Sequence, residues 1–343
     1  MEFFDAHCDT AKRVLEGEVD FSRSDGGGHV SLPGMLAAGI RGQIFAVFVL
    51  SRDHPGEERA RAEEMIATVY RLAEGSQGKM KVVTTAEELR KSFSDGPIAA
   101  LIGLEGADPL EGKAENLQHF FQLGVRNLIP AWLDNPFSGT AFGSDRSLTP
   151  EGEELVQLAE ELGVMVDVSH LSDSAFWRTL EVTKRPLIAS HSNCRDLCPS
   201  PRNLTDRMIR ALADRGGVMG INLSPGFLDP EYYGRTRPLV ERSLQPELPG
   251  EEKERLREEL KKIPRPELEW IARHVRHAIQ VGGEDVIGLG GDLDGISSTP
   301  LGIETVADYT KLPELLERAG LAPRQVEKVC YGNFLRVFSE VLP

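Results

Sequence analysis

The chain has 343 residues, 40% hydrophobic and 27% charged, with a formal net charge of −15. That is ordinary globular composition, and the acidic balance argues against nucleic acid or an anionic membrane surface as a partner. Every apolar run falls short of the roughly 20 residues that span a bilayer. The N-terminus shows no basic region leading into an apolar stretch and the C-terminus no hydrophobic tail, so a soluble, cytoplasmic protein without signal peptide or lipid anchor is expected.

Eight apolar, strand-like runs punctuate the chain: 3–9, 42–50, 98–105, 125–132, 164–170, 186–191, 217–223 and 286–292. Several are nearly continuous, as in Val164-Met165-Val166-Asp167-Val168, which suits parallel strands covered on both faces. Helix-period segments lie between them, over 57–74, 85–93, 110–122, 150–162, 172–182, 205–215 and 266–281. A final pair spans 312–319 and 323–340. Thr149-Pro150-Glu151 has the form of an N-cap, a proline in the first turn and an acidic start, and Thr205-Asp206 opens a helix that stops at Gly216-Gly217. Strands alternating with helices predict an α/β fold, a (β/α)8 TIM barrel forming a single domain over 1–343. A doubly wound open sheet is the alternative, but no Gly-x-Gly-x-x-Gly follows an early strand.

Two segments exceed ordinary loop length. One, 134–148, follows the fourth predicted strand; the other, 224–265, follows the seventh and carries a helix of interspersed charges over 251–262. A solvated helix is the simple expectation there, and a lid or dimer contact the alternative. Cys8, Cys194, Cys198 and Cys330 make no disulfide framework. Cys194 and Cys198 lie four apart near a histidine, but no second pair supports a zinc knuckle.

A barrel carries its chemistry where strands exit. The first strand ends in His7-Cys8-Asp9, with His7 and Asp9 spaced to share a face. The third ends at Glu105, the fifth at His170, the sixth at His191, and the eighth in Gly291-Asp292-Leu293-Asp294. Three of only eight histidines therefore fall on one rim together with carboxylates, a donor set for divalent metal. Five ligands exceed one catalytic site and suggest two metals sharing a bridging carboxylate and a water or hydroxide, with Asp292 left to move the proton. His274 and His277 precede the last strand and belong outside the rim. His29, His54 and His119 are expected to lack partners.

The stretches Asp5-Ala6-His7-Cys8-Asp9, 101–106, 148–173, 191–217, 288–295 and 331–338 together resemble the membrane (renal) dipeptidase family of zinc peptidases, within the amidohydrolase-type metal-dependent barrels. The resemblance implies two Zn2+ per chain. His7 and Asp9 would hold the first, Glu105 and a water or hydroxide would bridge, and His170 and His191 would hold the second. It implies Asp292 as the catalytic aspartate, with Asp294 as the alternative, and Arg202 as the group gripping the substrate carboxylate, a task that suits a guanidinium. Asn135 matches a family asparagine near the substrate. The implied reaction is hydrolysis of dipeptides, L-Xaa-L-Xaa and L-Xaa-D-Xaa, and family members are often homodimers.

One position departs from the pattern. Trp132 stands where the family delivers a histidine that contacts the substrate, and no histidine occurs in 120–169 to replace it. Indole donates one hydrogen bond and carries no charge. A metal-dependent hydrolase of another small amide, ester or N-acyl amino acid is therefore the alternative function, and a metal-binding protein without catalysis the next.

Overall fold

The computed structural model describes residues 1–243 and 248–343. All eight expected strands are present: β1 (Phe3–Cys8), β2 (Ile40–Phe48), β4 (Ile98–Glu105), β5 (Val125–Ile129), β6 (Met165–Val166), β7 (Ile188–Ala189), β8 (Val218–Ile221) and β9 (Ile287–Leu289). An unexpected three-residue strand, β3 (Met80–Val82), pairs with β4 outside the ring. All pairings are parallel, in the order β6-β5-β4-β2-β1-β9-β8-β7. One bridge, Asp167 to Ile188, joins the ends of that path. The result is a nearly closed (β/α)8 barrel in one domain.

The seams are unequal. β2 and β4 pair over seven consecutive residues, from Gly42↔Ala99 to Phe48↔Glu105. β1 meets β9 only at Asp5↔Leu289, with a bridge from Cys8 to Leu293 beyond.

The barrel is apolar at one end and polar at the other. Phe4, Ala6, Ile44, Ala99, Leu101, Met165, Ile188 and Val218 pack inside it with Phe334 and Phe338 from the C-terminal helix Asn333–Val341. Phe4 stacks on both of those rings, at 5.6 and 5.5 Å. This plug fills the strand-entry end, so a cluster of buried polar groups is confined to the exits. The helix expected over 323–340 is broken: a π turn at Lys328–Gly332 separates Pro323–Glu327 from Asn333–Val341. Beside that turn, Asn333 Nδ2 donates to the Glu284 and Ile287 carbonyls at 2.8 Å and ties the helix to the start of β9.

Thr149 caps helix Pro150–Leu162 by accepting from Gly152 N–H, and Thr205 caps Asp206–Asp214 through Met208 N–H, as the sequence signals predict. Helices Thr10–Leu15 and Leu32–Ala38 are too short to leave a periodic signal and were not expected. The segment after β5 forms no regular element up to Thr149. It is held by Asp134, whose carboxylate accepts from Thr140 and Ser144. The segment after β8 carries helices Pro225–Leu228, Pro230–Ser243 and Gly250–Lys261; residues 244–247 of that expected insertion lie outside the described residues. No helix among the described residues is long and apolar enough to cross a membrane.

His274, in helix Glu269–Gly282, ties this segment to the barrel. Its Nδ1 accepts from Cys194 N–H at 3.1 Å, and its Nε2 lies 2.8 Å from the Leu228 carbonyl. Only a neutral imidazole with its hydrogen on Nε2 satisfies both. Burial pushes its pKa from 6.5 down to about 4. The unfolded chain binds the extra proton first as pH falls, so this contribution is present above the unfolded pKa and lost below it. The stability advantage of the wild type over His274→Gln should narrow by roughly 2 kcal/mol between pH 7 and pH 5 in urea unfolding. A constant gap contradicts this role.

Candidate metal and catalytic centre

Two different backbone devices aim the central groups. On β4, Ala99 and Leu101 face the barrel interior while Ile98, Ala100, Ile102 and Leu104 face the helices, so unbroken alternation turns Glu105 inward. On β1 the alternation breaks. Asp5 pairs with Gln43 but Cys8 with Phe45, so one extra residue sits in β1. Phe4 and Ala6 face inward, Phe3 and Cys8 outward, and the bulge is what brings His7 into the barrel. Simple spacing along a strand was the expected reason; the bulge is the observed one. Beyond the strands, His170 (φ 70°), Asp292 (φ 57°) and Asp294 (φ 68°) hold left-handed backbone, which is costly for residues with a Cβ and concentrates at functional sites.

The structure brings His7, Asp9, Glu105, His170, His191 and Asp292 together. Glu105 Oε2 lies 3.3 Å from His7 Nε2, whereas Oε1 lies 3.0 Å from His170 Nε2 and 3.7 Å from His191 Nε2. One carboxylate thus offers one oxygen to each side. His7 Nε2 also lies 3.5 Å from Asp9 Oδ2, and the ligand atoms of His7, Asp9 and Asp292 fall within 4.8 Å of one another. The His170 and His191 Nε2 atoms are 2.9 Å apart, and Ser190 Oγ lies 2.7 Å from His191 Nδ1. A Cβ on Gly295 would come within 2.1 Å of Asp9 Oδ2 and 2.4 Å of Asp292 Oδ1, so glycine keeps this corner open.

Electrostatics divides the cluster. Burial alone would raise the Glu105 carboxyl, but the nearby His7 and the His170 ring nitrogen 3.0 Å away overrule it and hold Glu105 well below the usual range. Burial opposes charge on His7 too, yet Glu105 and Asp9 raise it. Burial, reinforced by Arg202, lowers His170 to about 3, and burial with His7 depresses His191. Burial pushes Asp292 up to about 7, with Asp9 and Glu105 adding to the rise and His7 opposing it. Asn222 Nδ2 donates to Asp292 Oδ2 at 2.8 Å. Asn222 lies just past β8, and nothing in its spacing marked it.

The residues fit a divalent metal. Among the described residues, neither buried ring nitrogen of His7 has a hydrogen-bond partner. His170 and His191 are held neutral, the form that ligates, and imidazoles with carboxylates are the donors zinc takes. A further group, Asp196, Asp206 and His277, lies at the surface, where Asp206 pairs with His277 and Arg210.

The flanking residues fall into place unevenly. Arg202 is buried, donates to Ser192 Oγ and the His191 carbonyl, and leaves Nε without a partner among the described residues. Trp132 packs against Phe48, with ring centroids 4.7 Å apart, and lies 5.8 Å from the His170 ring. Asn135 is spent on its own loop: it donates to the Pro130 carbonyl and Asp108 and accepts from Phe137 and Ser138 N–H. Asp294 accepts from Thr10, Arg13 and His29 N–H, which removes it as a substitute for Asp292. His29 and His119, expected to lack partners, have them: His29 Nδ1 accepts from Asp294 N–H, and His119 lies 2.8 Å from Glu63. The Cys194 and Cys198 thiols point at the His274 and Gly226 carbonyls.

Comparison with known proteins agrees with this geometry. The family model for membrane dipeptidases, peptidase family M19, matches residues 1–342. An uncharacterized protein in the pqqA 5′ region of Klebsiella pneumoniae is 30% identical over 295 residues, covering 84% of this chain and 98% of that protein. Dipeptidase 3 of Rattus norvegicus is 28% identical over 322 residues, 92% of this chain but 59% of the relative, so the chain spans little more than half of that protein. A metallo peptidase from Rhodobacter sphaeroides, liganded with a phosphinate mimic of the dipeptide L-Ala-D-Ala, superposes with a TM-score of 0.86 at 26% identity, covering 99% of each chain. The dipeptidase AC, a metallo peptidase of family M19, matches equally well, with a TM-score of 0.86 and 26% identity over 100% of this chain and 99% of the other. With the same barrel, a full-length family match and a cluster suited to metal at its rim, this chain belongs to the membrane dipeptidase family, peptidase family M19.

Proposed function

We propose that this chain is a binuclear zinc-dependent dipeptidase, cleaving L-Xaa-L-Xaa and L-Xaa-D-Xaa dipeptides. The observation that carries the binuclear reading is Glu105, one oxygen toward His7 and the other toward His170 and His191. In this reading His7 and Asp9 would hold one Zn2+ and His170 and His191 the other, with Glu105 shared between them. Bound there, the ions would polarise the amide carbonyl and make water a nucleophile at neutral pH.

The chain's own groups supply the rest. Arg202 is buried and has an unpartnered Nε, so a substrate carboxylate is the natural acceptor for it. Asp292 accepts the proton that the attacking water loses and returns it to the leaving nitrogen, so amide and water become acid and amine. Asn222, already bonded to Asp292 Oδ2, leaves Oδ1 for that transfer. Trp132 and Phe48 form an aromatic wall beside His170 for a substrate side chain. Asn135 serves by shaping the loop after Trp132. Four free, buried cysteines suit a reducing, cytoplasmic setting. The second reading, hydrolysis of another small amide or N-acyl amino acid, keeps the same groups and is favoured only by Trp132.

Assays on a panel of dipeptides with the zinc-loaded protein test the reading. Asp292→Asn should retain metal and lose about 10²–10⁴-fold in kcat. Loss of metal instead would make Asp292 a ligand and not the proton carrier. Arg202→Ala should raise KM for free dipeptides about 10–100-fold, while leaving C-terminally amidated dipeptides, already poor substrates of the wild type, unchanged. An equal effect on both removes the carboxylate from the account.

A further inference from the structure

The two thinnest seams of the barrel are each fastened by one buried carboxylate, and the same chemistry recurs at both. At the first, Asp5 Oδ1 accepts from His7 N–H at 3.1 Å on β1 and from Gly291 N–H at 2.9 Å past β9. Its Oδ2 accepts from Tyr309 OH at 2.6 Å. At the second, Asp167 Oδ1 accepts from Ser169 N–H at 3.0 Å and from Ser190 N–H at 3.0 Å past β7. Its Oδ2 accepts from Asn127 Nδ2 at 3.1 Å. Both aspartates are fully buried, with 0% exposure. Both also sit at a pairing of their thin seams, Asp5↔Leu289 and Asp167↔Ile188.

What these carboxylates hold is adjacent to the chemistry in every case. His7 is itself a candidate ligand, and Gly291 precedes Asp292. Ser169 precedes His170, and Ser190 precedes His191. Few backbone bonds cross either seam, Asp292 N–H to the His7 carbonyl and Asp9 N–H to the Leu293 carbonyl at the first and Val168 N–H to the Ile188 carbonyl at the second, and the carboxylate adds to them. The fit at the first is tight: a Cβ on Gly291 would lie 2.0 Å from Tyr309 OH and 3.1 Å from Asp5 Oδ2. Burying a carboxylate is costly unless its lone pairs are filled, and each of these is filled by two backbone donors beside the site on Oδ1 and one side-chain donor on Oδ2.

We infer that Asp5 and Asp167 are paired positioning residues, each setting the geometry of one half of the centre: Asp5 that of His7 and Asp292, Asp167 that of His170 and His191. This rests on the binuclear reading above. Partners that orient metal ligands typically change metal affinity about 10–100-fold when removed.

The test is Zn2+ titration of the full chain in competition with a chromophoric chelator. The wild type should bind two ions; failure to bind any metal would sink the binuclear reading itself and leave no half-sites to position. With two ions bound, Asp167→Ala should weaken one binding event about 10–100-fold and leave the other. In a His7→Ala background, Asp167→Ala should weaken the remaining event and Asp5→Ala should not. Asp5→Asn and Asp167→Asn retain the Oδ1 acceptor and should recover most of the affinity. Tyr309→Phe and Asn127→Ala remove only the Oδ2 donor, and should weaken zinc several-fold at their own half even where the alanine variants fail to fold. Wild-type affinities in all folded variants, or equal weakening of both events by each, would overturn the inference.

Discussion

The structure is built around one buried carboxylate. Glu105 ends the longest ladder of the barrel and meets three imidazoles where water is largely excluded. A carboxylate so placed costs several kcal/mol unless positive charge answers it. Within the cluster, His7 and His170 lower the Glu105 carboxyl, Glu105 and Asp9 raise His7, and burial depresses His170 and His191. The arrangement has more donors than internal partners, which is what a metal centre requires and a structural ion pair does not.

The rest of the fold keeps that cluster rigid. The C-terminal helix and Phe4 fill the opposite end, so the polar groups have one way out, toward the exit loops. Strong ladders on the β2–β4 side set Glu105 by simple alternation. The thin seams have less of that support, and there buried side chains add to the backbone pairing. A barrel can therefore bring together ligands from the ends of widely separated strands and from the residues just past them.

Much of this was legible in the sequence. The eight apolar runs marked the strands, because parallel strands covered on both faces leave continuous hydrophobic stretches. His7, Asp9, Glu105, His170, His191 and Asp292 stood out because few histidines exist and three fall at strand ends. What escaped was long-range pairing. The bulge that turns His7 inward depends on β2, and Asn222 matters only because β9 lies beside β8. Asn135 and Asp294 looked like site residues by position, yet their hydrogen bonds are taken by neighbours that no local pattern reveals. Asp5 and Asp167 were visible letters whose partners lie, for the most part, tens to hundreds of residues away.

Electron paramagnetic resonance of the protein loaded with Mn2+ tests the central claim most directly, because two ions sharing a carboxylate couple magnetically and isolated ions do not. The account predicts an exchange-coupled pair at full loading, converted by Glu105→Ala into the six-line signal of separate ions. One uncoupled Mn2+ per chain at saturation, unchanged by that substitution, would contradict it.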